Sequence, residues 1–219
     1  TFVTAAKRLV YGDVALDLVA GPSEIAVLAD DSADPGFVAA DLLSQAEHGT
    51  GAEKAILVTT SMKLAADARR EIVRQAKDLS RRSAVGKVMR RGMLIVVVPS
   101  LSKGIELCNR FAPEHLELMV KNAGKYLPKI RNAGAVFMGK WSPEPTGDYV
   151  AGPSHVLPSG GTAAMFSGLT VEDFRKKISV INFTRADLKR TLPAIREFAR
   201  AEGLDAHGKS AEIRFGKDC

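Results

Sequence analysis

The sequence predicts an α/β protein: a Rossmann-like parallel sheet with helices on both faces, incomplete, plus a small helical C-terminal tail. Three observations predict it. Residues 25–29, 55–59 and 93–98 are continuous apolar runs, the mark of strands buried on both faces. Helical patterns alternate with them at short spacing, as in a parallel sheet. The stretch after residue 170 is too short to bury a core alone, so it should pack on another subunit or domain.

Taken in order, residues 1–10 read as the end of a helix that starts abruptly, without a cap. Residues 14–19 alternate as a short strand, and Gly21-Pro22 turns the chain. Strand 25–29 ends in Asp30-Asp31. The next helix has Asp34 at its N-cap, Pro35 at its first position and Gly49 as its stop. Strand 55–59 is followed by a long amphipathic helix over 61–79. Strand 93–98 is closed by Pro99, and a helix follows over 101–111. Residues 115–120 alternate as a fourth strand, Asn122 caps a short helix, and 134–138 is a fifth strand. Residues 140–161 are dense in Pro and Gly, and a loop of that length inside a compact domain is a functional candidate. Beyond it lie a strand over 178–183, a helix over 185–201 that Pro193 should kink or restart, and a last short element over 204–215. The expected division is 1–20 as a connecting helix and strand, 21–169 as the partial Rossmann-like domain, and 170–219 as a dimerisation tail.

The composition is that of a soluble globular chain: 219 residues, 46% hydrophobic and 26% charged. The net charge of +6 invites a nucleic-acid reading. The basic residues are dispersed, however, mostly on helical stretches such as Arg69-Arg70, Arg81-Arg82 and Arg175-Lys176-Lys177. Aromatics make up only 6% and do not interleave with them as a base-stacking surface would. No nucleic-acid partner is expected. No apolar run approaches the roughly 20 residues that span a bilayer, so no membrane partner is expected either. No signal peptide is visible and the chain starts at Thr1, which suggests a piece or a processed form of something longer. Cys108 and Cys219 have neither the spacing of a zinc ribbon nor that of a disulfide framework, which suits a reducing, cytoplasmic location.

The groups able to do chemistry are few. All four histidines, His48, His115, His155 and His207, sit at breaks between elements. Gln45 and His48 are three apart and share a face of the last helical turn, which is how a helix offers two ligands to a metal; taken singly, the pair reads first as a polar helix end with a capping His. Glu114 beside His115 is an acid/base couple, or a carboxylate orienting a structural His. Asp148 follows Gly147, which would let the backbone approach a ligand, or else marks a turn. Glu202 and His207 flank Gly203 at a helix end. Together Gln45, His48, Asp148 and His207 form an N/O set suited to zinc, although their separations cannot show that they converge.

The segments Ala20-Gly21-Pro22-Ser23-Glu24, Leu42-Leu43-Ser44-Gln45-Ala46-Glu47-His48-Gly49, Ala112-Pro113-Glu114-His115-Leu116, Gly147-Asp148-Tyr149, Ser154-His155-Val156-Leu157-Pro158 and Ala206-His207 resemble histidinol dehydrogenase, in order and spacing, over nearly the whole chain. The resemblance implies a zinc enzyme that oxidises L-histidinol to L-histidine with two NAD, in histidine biosynthesis. It implies Gln45, His48, Asp148 and His207 as zinc ligands, which also meet the substrate, and Glu114 and His115 as the acid/base pair. Ser23, His155 and Glu202 would contact the substrate, with His115 close to it. It further implies a homodimer whose C-terminal tails are exchanged, so that His207 and Glu202 reach the neighbour's site.

Family members are roughly twice this length, beyond the usual scale of one domain. The half not seen here is expected to carry most NAD contacts, on this polypeptide or on a separate chain. No G-x-G-x-x-G occurs in the 219 residues, and no cofactor-binding residue is assigned. The chain alone is therefore expected to be inactive, with an end, residues 216–219, that is loose. Two other readings compete: a related zinc- and NAD-dependent dehydrogenase of another alcohol, and a non-catalytic, metal-binding dimeric fragment.

Overall fold

The apolar runs of the chain form Glu24–Ala29 (β1), Lys54–Thr59 (β2), Met93–Val97 (β3), His115–Met119 (β4) and Ala135–Met138 (β5). In the computed structural model, which describes residues 2–216, they pair in parallel in the order β3-β2-β1-β4-β5. The register sets Ile25 of β1 against Ala55 of β2 and His115 of β4, and His115 against Ala135 of β5. The sheet is open, and the fold class read from the sequence holds.

Successive strand side chains point to opposite faces, so each strand feeds two cores. On one face Ile25, Val27 and Leu57 pack with helices Pro35–Ala46 (α2), Met62–Gln75 (α3) and Arg82–Arg91 (α4) through Leu42, Leu64, Ile72 and Val88. On the other, Leu28, Val58, Leu116 and Leu118 pack with Ile105 and Cys108 of helix Leu101–Phe111 (α5). Burial pushes the Cys108 thiol up to about 12, so it behaves as a small hydrophobe. The caps are local: Asp34 accepts from the N–H groups of Gly36 and Phe37, Ser61 from Leu64, and Ser100 from Lys103.

The chain divides into two compact units, 1–174 and 175–219. The second holds helices Arg185–Glu202 and Asp205–Glu212, which become α7 and α8 once Pro145–Tyr149 is taken as α6. Their own small core is Leu192, Ala211 and Phe215. A capping box between Thr184 and Asp187 opens α7, and Gly203, at φ +68°, ends it. Among the described residues no helix is long and apolar enough to cross a membrane.

Several expectations need correction. Residues 14–19 form no strand: the Lys7 ammonium, from helix Phe2–Leu9 (α1), holds the Asp17 carboxylate and the Leu18 carbonyl, and only Tyr11 and Val14 bridge. Residues 178–183 form no strand either. Ile178, Val180 and Ile181 are 76–89% exposed, and β character without a pairing edge does not make a sheet. β3 is not buried on both faces; it is the outer strand, and Leu94 and Val97 are exposed. The long helix stops at Gln75, and α4 follows as a separate helix, its short apolar stripe of Val85 and Val88 flanked by arginines. Asn122 precedes a 3-10 turn but makes no side-chain cap. Arg175-Lys176-Lys177 is not helical. Pro193 neither restarts nor ends α7, which runs unbroken through it. Residues 217–219, where a loose end was expected, lie outside the described residues.

Candidate active site at the N-terminal edge of the sheet

α5 ends at Ala112, which takes a left-handed conformation (φ 50°), and Pro113 cannot continue a helix. This abrupt stop delivers Glu114 and His115 to the start of β4, between β1 and β5 in the sheet. The Gly134 and Ala135 N–H groups lock it there by donating to the Pro113 and Glu114 carbonyls. The Glu114 carboxylate accepts from the Ser23 hydroxyl and, at 3.1 Å, from the Glu24 N–H. Burial pushes its pKa up to about 7 against those two donors.

His115 is buried. Its Nδ1 lies 3.2 Å from the Glu24 carbonyl and 3.2 Å from Gln45 Oε1. A carbonyl only accepts, so the ring proton belongs on Nδ1 and the lone pair on Nε2. Burial lowers its pKa to about 4. The Phe137 ring lies 5.9 Å from the imidazole. It also occupies the space beside Gly147, where a Cβ would come within 2.7 Å of it. Gly147 is therefore small enough to admit Phe137, and it also lines the cavity of the site.

α2 places Gln45, fully buried, against His115. His48 lies past the helix, which ends at Ala46 with Glu47 as C-cap, and is exposed; the two do not share a regular last turn. The expected Pro/Gly loop contains α6, which carries Asp148, with Glu144 at its N-cap. One ligand atom each from His48, Glu144 and Asp148 lie within 4.8 Å of one another. An imidazole and two carboxylates suit a divalent metal such as zinc. Glu144 Oε1 and His115 Nε2, both buried and without a hydrogen-bond partner, lie 3.8 Å apart. Burial and the neighbouring Asp148 raise the Glu144 pKa to about 7.

Beneath these groups Glu117 accepts the Glu144 N–H at 2.9 Å. Burial and the adjacent Asp41 raise the Glu117 pKa well above the carboxylate range, so the pair holds a proton at neutral pH. The loop over the site is pinned as well. Ser159 bonds both backbone groups of Gly21, and the Gly160 N–H donates to the Glu24 carboxylate. A cavity of about 650 Å³ opens beside these groups, lined by His115, Phe137, Asp148, Ser154, His155 and Leu157 among others. His155 is exposed at its rim. Ser23 spends its hydroxyl on Glu114. Glu202 closes α7 and His207 sits in α8; both are exposed residues of the second unit.

The position of the site is unusual for an open parallel sheet, whose ligands normally bind beyond the carboxyl ends of the strands. Here Glu24, Glu114 and His115 cluster at the amino ends. At the carboxyl end, where the strand order reverses between β1 and β4, Asp30 accepts from the Ser32 and Lys121 N–H groups and Asp34 caps α2. Reading single residues missed Asp41, Glu117 and Glu144. Two signals were present: Asp41 and Gln45 lie i, i+4 on an apolar helix, and Glu144 precedes the helix-starting Pro145 four residues before Asp148.

The family model for histidinol dehydrogenase matches residues 1–215. The histidinol dehydrogenase of Listeria monocytogenes is 47% identical over 217 residues, covering 99% of this chain and 51% of that protein. That of Prochlorococcus marinus is 49% identical over 216 residues, covering 99% and 49%. The crystal structure of the histidinol dehydrogenase from Elizabethkingia anophelis superposes with a TM-score of 0.93 at 40% identity, covering 98% of this chain and 49% of that one. The chain thus spans about half the length of the relatives it matches.

Proposed function

The chain belongs to the histidinol dehydrogenase family, and from that premise we propose that it is the part of a zinc- and NAD-dependent enzyme that holds the metal and the acid/base groups, acting in the oxidation of L-histidinol to L-histidine. The observation that carries the reading is His115. Its Nδ1 proton is committed to a backbone carbonyl, its Nε2 has no hydrogen-bond partner, and the residue lines a cavity together with Asp148 and His155. Each of the two oxidations of an alcohol to an acid releases a proton with its hydride, and Nε2 is placed to take that proton. NAD, when bound, would supply the hydride acceptor. The second oxidation requires water to add to an aldehyde, and Glu114, held near neutrality by burial, is the base for that water. Zinc, when bound by Gln45, His48, Asp148 and His207, supplies a positive anchor for the amine and imidazole of histidinol.

Ser23, His155 and Glu202 contact the substrate in this proposal. Residues 21–169 carry the chemistry, 170–219 are the dimerisation tail, and exchange of that tail brings Glu202 and His207 to the neighbour's site, in a cytoplasmic homodimer. NAD binds on another stretch of polypeptide. The chemistry of the β1–α2 turn supports this: it holds Asp30, Asp31 and Asp34 where a pyrophosphate site needs glycines and open N–H groups. The test is zinc content after dialysis of the purified species, beside His48→Ala and His207→Ala, with NADH formation followed in the same preparation. About one zinc per chain in a dimer, lost in both variants, without NADH, is expected. A dimer without zinc would overturn the metal assignment, and NADH formation by the chain alone would overturn the division of labour.

A further inference from the structure

We propose that Glu24 is a positioning residue for the reaction: its carboxylate tethers the loop that carries His155 to the strand end that holds Glu114 and His115. The inference rests on the reading of His155 as a substrate contact and adds a residue to which that reading gives no role.

Glu24 opens β1, is buried, and spends three of its groups on the site. Its N–H donates to the Glu114 carboxylate at 3.1 Å, and its carbonyl lies 3.2 Å from His115 Nδ1. Its carboxylate serves the loop: one oxygen accepts from the Gly160 N–H at 3.0 Å and from the Gly161 N–H at 3.4 Å. Both glycines have positive φ, +69° and +78°, a conformation that L side chains rarely adopt. It lets two successive N–H groups converge on one anion. Burial raises the Glu24 pKa, and the Gly161 and Gly160 N–H groups and Lys54 oppose that rise. The rest of β1 is apolar and buried, so a residue needed only to fill this strand could be apolar too. What the carboxylate adds is the bond to the loop, and a buried carboxylate depends on such donors.

The tether sits where the loop ceases to be exposed. His155 is exposed, whereas Leu157, Pro158 and Ser159 are buried. The Ser159 hydroxyl accepts from the Gly21 N–H at 2.8 Å and donates to the Gly21 carbonyl at 3.1 Å, so residues 159–161 are pinned at two points. On the other side of His155 the Ala151 N–H donates to the Thr146 carbonyl of α6 at 2.8 Å, and Gly152 is exposed at φ +98°. His155 thus hangs between two attachments at the rim of the cavity that His115 also lines. Glu24 bonds to both sides of that span, so it sets where His155 stands relative to His115. A misplacement of about 1 Å in such a contact can cost on the order of 100-fold in rate.

The test is a double-mutant cycle in the complete enzyme, this chain together with its NAD-binding half, with histidinol oxidation measured for wild type, E24M, E24Q, H155A and E24M/H155A. E24M keeps the bulk of the side chain and removes the acceptor; E24Q keeps an acceptor. The kcat/KM of E24M is expected to fall about 10- to 100-fold, with E24Q between it and wild type. In the H155A background E24M is expected to cost less than about 2-fold more, because the group it positions is already gone. Amide hydrogen exchange of E24M should quicken at residues 159–161 and stay unchanged in β2 and β3; a purely structural Glu24 would loosen the strands as well. Unchanged kinetics in E24M, effects that add across the cycle, or a loss in E24Q as large as in E24M would overturn the proposal. Should E24M fail to fold, S159A, which removes the second pin of the same segment, takes its place in the cycle, and additive effects there overturn the tether equally. If H155A loses activity while E24M does not, only the role of Glu24 falls. If H155A is as active as wild type, the reading of His155 falls and the proposal with it.

Discussion

The two faces of β4 are buried equally and built oppositely. Leu116 and Leu118 point into the core under α5, and both are 0% exposed. His115 and Glu117 point toward α2, at 2% and 1%. One face is filled by side chains that only need to be excluded from water. The other holds polar and ionisable groups that lack a full set of partners: His115 Nε2, Gln45 Nε2, Glu117 Oε2 and Glu144 Oε1 are buried without a hydrogen bond. The comparison teaches that stability and chemistry are divided across one strand. The apolar face holds β4 in the sheet so that the polar face can remain incompletely satisfied, as functional sites commonly are.

The largest effect should come from breaking the polar face at its hub. Glu117→Ala removes the acceptor of the Glu144 N–H and leaves Asp41 buried beside a cavity, and it should cost about 3–5 kcal/mol in urea unfolding. Glu117→Gln should cost less than about 1 kcal/mol, because its amide can donate to Asp41 and accept from Glu144 as a protonated Glu117 does. Equal losses in the two variants would show that Asp41 and Glu117 share no proton. On the apolar face Leu118→Ala should cost about 2–5 kcal/mol through lost burial and the cavity left behind. It should leave metal binding intact if the two faces are as separate as this division requires.

The apolar face was the legible one. Strands β1 and β2 appear in the sequence as unbroken hydrophobic runs, and α2 announces itself through Asp34 and Pro35. Glu114-His115 could be picked out because adjacent titratable groups at a strand start are uncommon. The polar face resisted because its signals are tertiary. Gln45 and His115 touch across 70 positions. Glu117, inside His-Leu-Glu-Leu-Met, has the alternation of a half-exposed strand and gives no sign that helices cover both faces, α2 on its own side and α5 on the other. The apolar residues of 178–183 misled in the opposite direction, since a strand pattern carries no information about whether an edge is available to pair with.

Glu53 sharpens the comparison, with a smaller and more easily isolated effect. It sits before β2, at the same end of the sheet, and is 0% exposed, like the groups of the polar face. Unlike them it is fully served: the Thr50 and Gly51 N–H groups donate to its two oxygens at 2.7 and 2.8 Å. Burial alone would raise its pKa, but the Thr50 side chain and these N–H groups more than offset burial and hold it below the ordinary 4.5. Because the folded value is depressed, the unfolded chain binds the extra proton. The stabilisation from Glu53 is complete above the unfolded pKa and is lost as pH falls through the folded one. Glu117 and Glu144 have the opposite sign: with folded values raised, their contribution is present in acid and lost as pH rises. Unfolding of wild type and E53Q across the acid range should therefore diverge above about pH 4.5 and converge below it, whereas E117Q should diverge from wild type only as pH rises. If E53Q and E117Q shifted in the same direction, burial rather than the supply of donors would be what separates these carboxylates.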